Sequence, residues 1–144
     1  MDVGRGVEGR FTFDEAVDTR PVWSPDSRQV IFMSGRNGRF DLFMKPASGA
    51  AEEQPLLVTA QDKVPMDWSP DGRILLYTTQ DPKGASDLWA LPLTGERKAF
   101  PVVQTSFDEV GGQFSPDGRW LAYASNESGR YEIYLRPFPD AGGK

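Results

Sequence analysis

Histidine and cysteine are both missing from this chain of 144 residues. Without cysteine there are no disulfides, no thiolate nucleophile and no thiolate metal site. Without histidine the usual general base, the Ser-His-Asp triad and imidazole metal ligands fall away as well. Positive charge is also scarce: 16 Lys and Arg stand against 21 Asp and Glu, a net charge of −5. The arginines are scattered, most of them just after turns, whereas nucleic-acid phosphates need clustered basic side chains. No apolar run approaches the roughly 18–20 residues that cross a bilayer. The opening "MDVGRGVEGR" lacks the apolar stretch of a signal peptide. These absences predict no nucleic-acid partner, no membrane insertion and no independent enzyme, and they leave the compartment open.

Turn formers and aromatics are abundant instead. Fifteen Gly and twelve Pro predict many turns and few helices, and four Trp, four Tyr and nine Phe predict a packed core. The length suits one domain or part of one. Within it one phrase recurs: "VWSPDSRQVIF" from Val22, "DWSPDGRILLY" from Asp67 and "QFSPDGRWLAY" from Gln113. The aromatic before each turn is Trp23, Trp68 and then Phe114, spacings of 45 and 46 residues by subtraction. A fixed period in this range marks a repeat architecture.

Each repeat reads as short strands bounded by turn residues. A first strand ends at the aromatic. The turn that follows has Ser24, Ser69 and Ser115 in its leading position. Pro25, Pro70 and Pro116 come next, with φ preset for a type I turn, and then Asp26, Asp71 and Asp117. Gly72 and Gly118 supply the positive φ that lets the next strand pair back, whereas the first repeat has Ser27 there. Second strands ("QVIFMS", "ILLYTT", "WLAYAS"), a Gly hairpin and third strands ("FDLFMKP", "SDLWALP", "YEIYLRP") complete the pattern. Each third strand opens on an acid (Asp41, Asp87, Glu132) and has an aromatic two positions on (Phe43, Trp89, Tyr134). A weaker fourth strand, "PLLVT" or "AFPVV", follows in two repeats, where Pro101 fits only an edge.

A four-stranded meander that is apolar on both faces cannot bury itself, and stacking copies about an axis solves the problem. The expected fold is therefore all-β, a propeller with blades at residues 20–59, 64–103 and 111–137. A sandwich or barrel is the structural alternative. The third repeat lacks its fourth strand, while "GRFTFD" near the start occupies the equivalent place before the first repeat. Three blades do not close a ring, since propellers have four to eight. The expectation is thus a homodimer of six blades, in which residues 10–13 of each chain complete the third blade of its partner.

The phrase aromatic-Ser-Pro-Asp-Gly-Arg, with its apolar strand, Gly turn and acidic-apolar-aromatic strand, resembles the WD-like propeller repeats of TolB-type proteins. It covers nearly the whole chain. The third repeat is also similar to repeats that follow bacterial serine/threonine kinase domains and to the gating propeller of prolyl oligopeptidase-like enzymes. The resemblance implies a binding platform or gate for a protein, peptide or other ligand, with chemistry, where present, in another domain. Gly111-Gly112 and Ser27 depart from the pattern without threatening the fold.

Other motifs read as structure. "GRGVEG" (Gly4–Gly9) has the spacing of a dinucleotide loop but no strand before it or helix after it. "NES" (Asn126–Ser128) sits in a hairpin turn. The aspartates of the Ser-Pro-Asp turns suit local bonds to backbone amides, and the repeated aromatics suit a core between blades. Acids cluster just before the first strands: Asp14, Glu15 and Asp18, then Asp62, then Asp108 and Glu109. Six copies around a ring would concentrate negative potential and suit a hard cation such as Ca²⁺. A solvated acidic rim is the plainer reading, with no cofactor.

Overall fold

The computed structural model describes residues 8–80 and 85–139. Their eleven strands form three antiparallel sheets. The first holds β1 (Asp18–Trp23), β2 (Gln29–Ser34), β3 (Asp41–Pro46) and β4 (Gln54–Leu57) in chain order. The second repeats the arrangement with β5 (Asp62–Trp68), β6 (Ile74–Gln80), β7 (Ser86–Pro92) and β8 (Phe100–Val103). The third has β9 (Glu109–Phe114), β10 (Trp120–Ser125) and β11 (Glu132–Pro137), and here β11 is an edge. The strands β1, β5 and β9 neighbour one another in succession, so the sheets are consecutive blades with these strands innermost. Pro101 lies in β8, an edge strand, as its missing N–H requires.

The Ser-Pro-Asp turn is built the same way three times. In the second blade Ser69 Oγ donates to Asp71 Oδ1 at 2.7 Å and accepts from the Ile74 amide at 3.0 Å. The Arg73 amide donates to the same carboxylate oxygen at 3.0 Å. Corresponding bonds tie Ser24 to Asp26 and Gln29, and Ser115 to Asp117 and Trp120. The repeated aspartates are therefore structural. Gly72 and Gly118 have φ of 78° and 73°, and Ser27 takes the same left-handed conformation at 63°. A residue with a side chain is strained there by about 1–2 kcal/mol.

Packing follows the alternation of the strands. Ile31, Met33 and Leu42 of the first blade bury against Leu75, Tyr77 and Leu91 of the second. Leu76 and Leu88 on the second blade's other face bury against Leu121 and Tyr123 of the third. The repeated aromatics mostly serve these junctions: Trp68 is buried, and Trp89, Phe114 and Tyr134 pack against the two clusters. Trp23, against which no described blade packs on that side, is half exposed at 52%. Gly112 has a packing reason, since a Cβ there would come within 2.7 Å of Leu76 Cδ2 and 3.0 Å of Leu88 Cδ1.

One expectation needs adjusting. The inner strands begin two residues earlier than the blade limits of 20, 64 and 111, so Asp18, Asp62 and Glu109 start strands and do not lie in loops. Bulges make this possible. Pairing slips between Thr19 and Val22, between Pro65 and Asp67, and opposite Ala122 and Ala124. Arg20 (φ 57°) and Gly111 (φ 66°) take up the extra residue in the first and third.

Residues 10–13 pair with no strand among the described residues. The segment lies across the outward face of the first blade. Lys45 Nζ donates to the Phe11 carbonyl at 2.5 Å and sits 4.7 Å from the centre of the Phe11 ring and 5.3 Å from that of Phe13. Most of "GRGVEG" falls outside the described residues, and "NES" forms a turn closed by the Gly129 amide on the Asn126 carbonyl at 3.0 Å.

Candidate binding face and the acids of the inner strands

Because strands alternate in direction, the Ser-Pro-Asp turns collect at one end of the blades and the acids preceding the inner strands at the other. The acids turn out to be fasteners. Asp62 Oδ1 accepts from the Phe40 amide at 2.8 Å, which joins the second blade to the first. Asp108 Oδ1 accepts from the Ser86 amide at 2.8 Å, which joins the third to the second. Asp67 adds another clasp, accepting from the Phe114 amide at 2.8 Å. Asp14 and Asp18 face Arg36, at 3.8 and 3.5 Å. Among the described residues no group of three or more acids is placed to hold a metal ion. Asp14 and Asp18 thus share Arg36, while Asp62, Asp108 and Glu109 each have a partner elsewhere, and the five do not form one cluster. Glu15 is exposed.

The residue after each fastening aspartate is buried, and the two junctions differ there. Lys63, fully buried, lies 2.7 Å from the equally buried Asp41. It also donates to Thr59 Oγ1 at 2.8 Å and to the Gln61 carbonyl. Burial alone would raise the Asp41 carboxyl, but hydrogen bonds from Lys63 and Asn37 outweigh it and hold the group below its ordinary range. At the next junction the place of Lys63 is taken by Glu109, 1% exposed. Thr105 Oγ1 donates to its Oε2 at 2.7 Å, while Oε1 has no hydrogen-bond partner among the described residues. Burial pushes Glu109 up, and the negative charge of Asp87 adds to the effect. A buried lysine on this face was invisible to motif reasoning. The only sequence signal was its place one residue after Asp62, among acids at the equivalent positions.

At the opposite end, adjacent turns enclose a cleft lined by Ser24, Pro25, Asp26, Trp68, Pro70 and Asp71. Trp68 donates its indole N–H to the Gly72 carbonyl at 3.0 Å and so forms a fixed floor. Hydrogen bonds from Ser24 and Ser69, followed by those from the Arg28 and Arg73 amides, hold Asp26 and Asp71 below the ordinary carboxylate range. The cleft is rigid, partly apolar and negatively charged, which suits recognition better than proton transfer. No described helix is long and apolar enough to cross a membrane.

Comparison with known proteins agrees with this architecture. Residues 1–134 match the family described as TolB beta propeller domain. An uncharacterised protein of Agrobacterium fabrum (strain C58) is 31% identical over 85 residues, covering 56% of this chain and 27% of that protein. The solved structure of a TolB-like protein from Agrobacterium tumefaciens superposes with a TM-score of 0.76 at 20% identity, over 89% of this chain and 46% of its own. A prolyl endopeptidase structure matches with a TM-score of 0.62 at 18% identity, over 85% of this chain and 20% of its own. The chain therefore spans less than half the length of these relatives.

Proposed function

We propose, because this chain belongs to the TolB β-propeller domain family, that it is a non-catalytic scaffold binding protein or peptide ligands through its loop faces and the channel side of its inner strands. One observation supports this above the rest: Asp26, Asp71 and Asp117 are committed to turns, and Asp62 and Asp108 to blade junctions. Open to solvent is a cleft between turns, lined by Trp68 and two carboxylates. Such a surface favours an extended peptide carrying a basic side chain, since a mostly apolar lining supplies affinity and a few fixed polar groups set orientation.

Hydrogen exchange on the chain with a peptide selected from a random library tests the reading. Protection of the turns around Ser24 and Ser69, without turnover of the peptide, is the expected result. Hydrolysis of peptide, ester or glycoside substrates that disappears on a single Asp or Glu substitution would overturn it.

A second reading is favoured by the short span of the match. The chain would be an accessory propeller segment of a larger enzyme, either the sensor region of a serine/threonine kinase or the gate of a prolyl oligopeptidase-like protein. An adjoining kinase or hydrolase domain in the same gene would decide for it.

A further inference from the structure

The two ends of the blade stack are finished differently. On the first blade, the face formed by Val30, Phe32, Phe43 and Lys45 is buried, covered in part by residues 10–13 and the Arg36 guanidinium. On the third blade, no described residue covers the face carrying Ala122, Ala124, Ile133 and Leu135, and Ile133 and Leu135 are 73% and 69% exposed. Their counterparts at the preceding junction, Leu88 and Ala90, are completely buried. Among the described residues the edge of β11 also pairs with no strand, although its equivalents β3 and β7 pair with β4 and β8.

Residues 10–13 stand toward the first blade as the outer strand of a preceding blade stands toward its successor. Leu56 and Val102, in or next to the outer strands, each stand 12 residues before the aromatic of the next turn, Trp68 and Phe114. Phe11 stands 12 residues before Trp23. The geometry matches this count. Arg136 donates to the Val102 carbonyl at 2.8 Å, and Lys45, at the equivalent place in the first blade, donates to the Phe11 carbonyl at 2.5 Å. Inward of Phe11, a hollow lined by Thr12, Asp18, Pro21, Val30 and Phe32 lies where that blade's other strands would stand.

The geometry points to a second copy of this chain as the occupant, its third blade seated on the first blade of its partner at both ends of a two-fold pair. Residues 10–13 of one protomer then zip onto β11 of the other. The register follows from the two complete blades. Leu42 pairs with Leu57 and Leu88 with Val103, so Thr12 pairs with Ile133. Phe43 pairs with Pro55 and Trp89 with Pro101, so Arg10 pairs with Tyr134. Six blades result, a number that closes a ring, and each junction repeats the packing already present twice within the chain. This inference is independent of the ligand reading above, because it concerns the blade faces and not the turn ends.

The absence of cysteine makes the register directly testable. Thr12→Cys and Ile133→Cys variants, mixed under mild oxidation, place two thiols on directly opposed strand positions, about 4.5–5.5 Å apart at Cβ. The expected result is a dimeric mass for the wild type by light scattering and a covalent dimer from the mixture. Neither variant alone, nor Phe11→Cys mixed with Ile133→Cys, should cross-link to the same extent. Leu135→Arg, at an exposed position that leaves the internal junctions alone, should give a folded monomer. A folded wild-type monomer would overturn the inference, and so would a dimer whose cross-linking ignores register or that survives Leu135→Arg unchanged.

Discussion

The junction between the first and second blades and the junction between the second and third share one backbone and differ in charge. In both, an aspartate accepts from an amide 22 residues earlier in the chain, and a threonine lies four residues before the buried charged side chain. At the first junction Thr59 accepts from Lys63, whose ammonium meets Asp41. At the second, Thr105 donates to Glu109, with Asp87 close enough for its charge to be felt. A hydroxyl can serve in either direction, so one scaffold tolerates opposite charges at its most buried position. The difference teaches that the repeat conserves geometry, while the sign of the buried charge sets how each junction responds to pH.

The largest way to break the comparison is to remove one member of the buried pair. Asp41→Ala strands the Lys63 ammonium and should cost about 3–5 kcal/mol in denaturant unfolding. The folded Asp41 carboxyl lies below its ordinary value of 3.8. The stability it contributes is therefore complete above that value and lost as pH falls through the lower, folded one. A wild-type acid limb unchanged by Asp41→Asn would contradict the assignment.

A smaller change should sharpen the contrast. Glu109 is raised above 4.5 in the folded protein, so charging it erodes stability as pH climbs from 4.5 through the folded value. Glu109→Gln removes that loss and should stabilise the chain at pH 7 by roughly 1–2 kcal/mol, the scale of a relieved unpaired buried group. The gain should vanish below about pH 4. An equal gain at all pH values would show that packing, not charge, is responsible.

The smallest effect lies outside both junctions and calibrates them. Ser27→Gly relieves about 1–2 kcal/mol of left-handed strain, offset by about 0.5–1 kcal/mol of glycine's extra unfolded-state freedom. The net gain should be about 0.5–1 kcal/mol, read as a higher melting temperature. A lower one would mean that Ser27 is held by something other than the turn.

Much of this fold could be read from residues because its signals are local. The Ser-Pro-Asp turns, the alternation in "ILLYTT" and the Gly hairpins each fix a few neighbouring dihedrals, and their repetition removes ambiguity. The starts of the inner strands were harder, since Pro21, Pro65 and Gly111-Gly112 look like breakers until bulges accommodate them. The acids before these strands read as a rim or a cation site, because nothing local reveals that Asp62 and Asp108 reach amides of the preceding blade. Lys63 carries no local signal for the same reason: its partner, Asp41, belongs to another repeat.

The clasps made by Asp62 and Asp108 span only 22 residues of chain each. Loops of that length close at low entropic cost, and an array whose units touch only their neighbours assembles by propagation from any seed. A chain emerging from the ribosome can therefore add each meander to the one made before it. Each clasp waits for about two dozen further residues, not for the far end of the molecule.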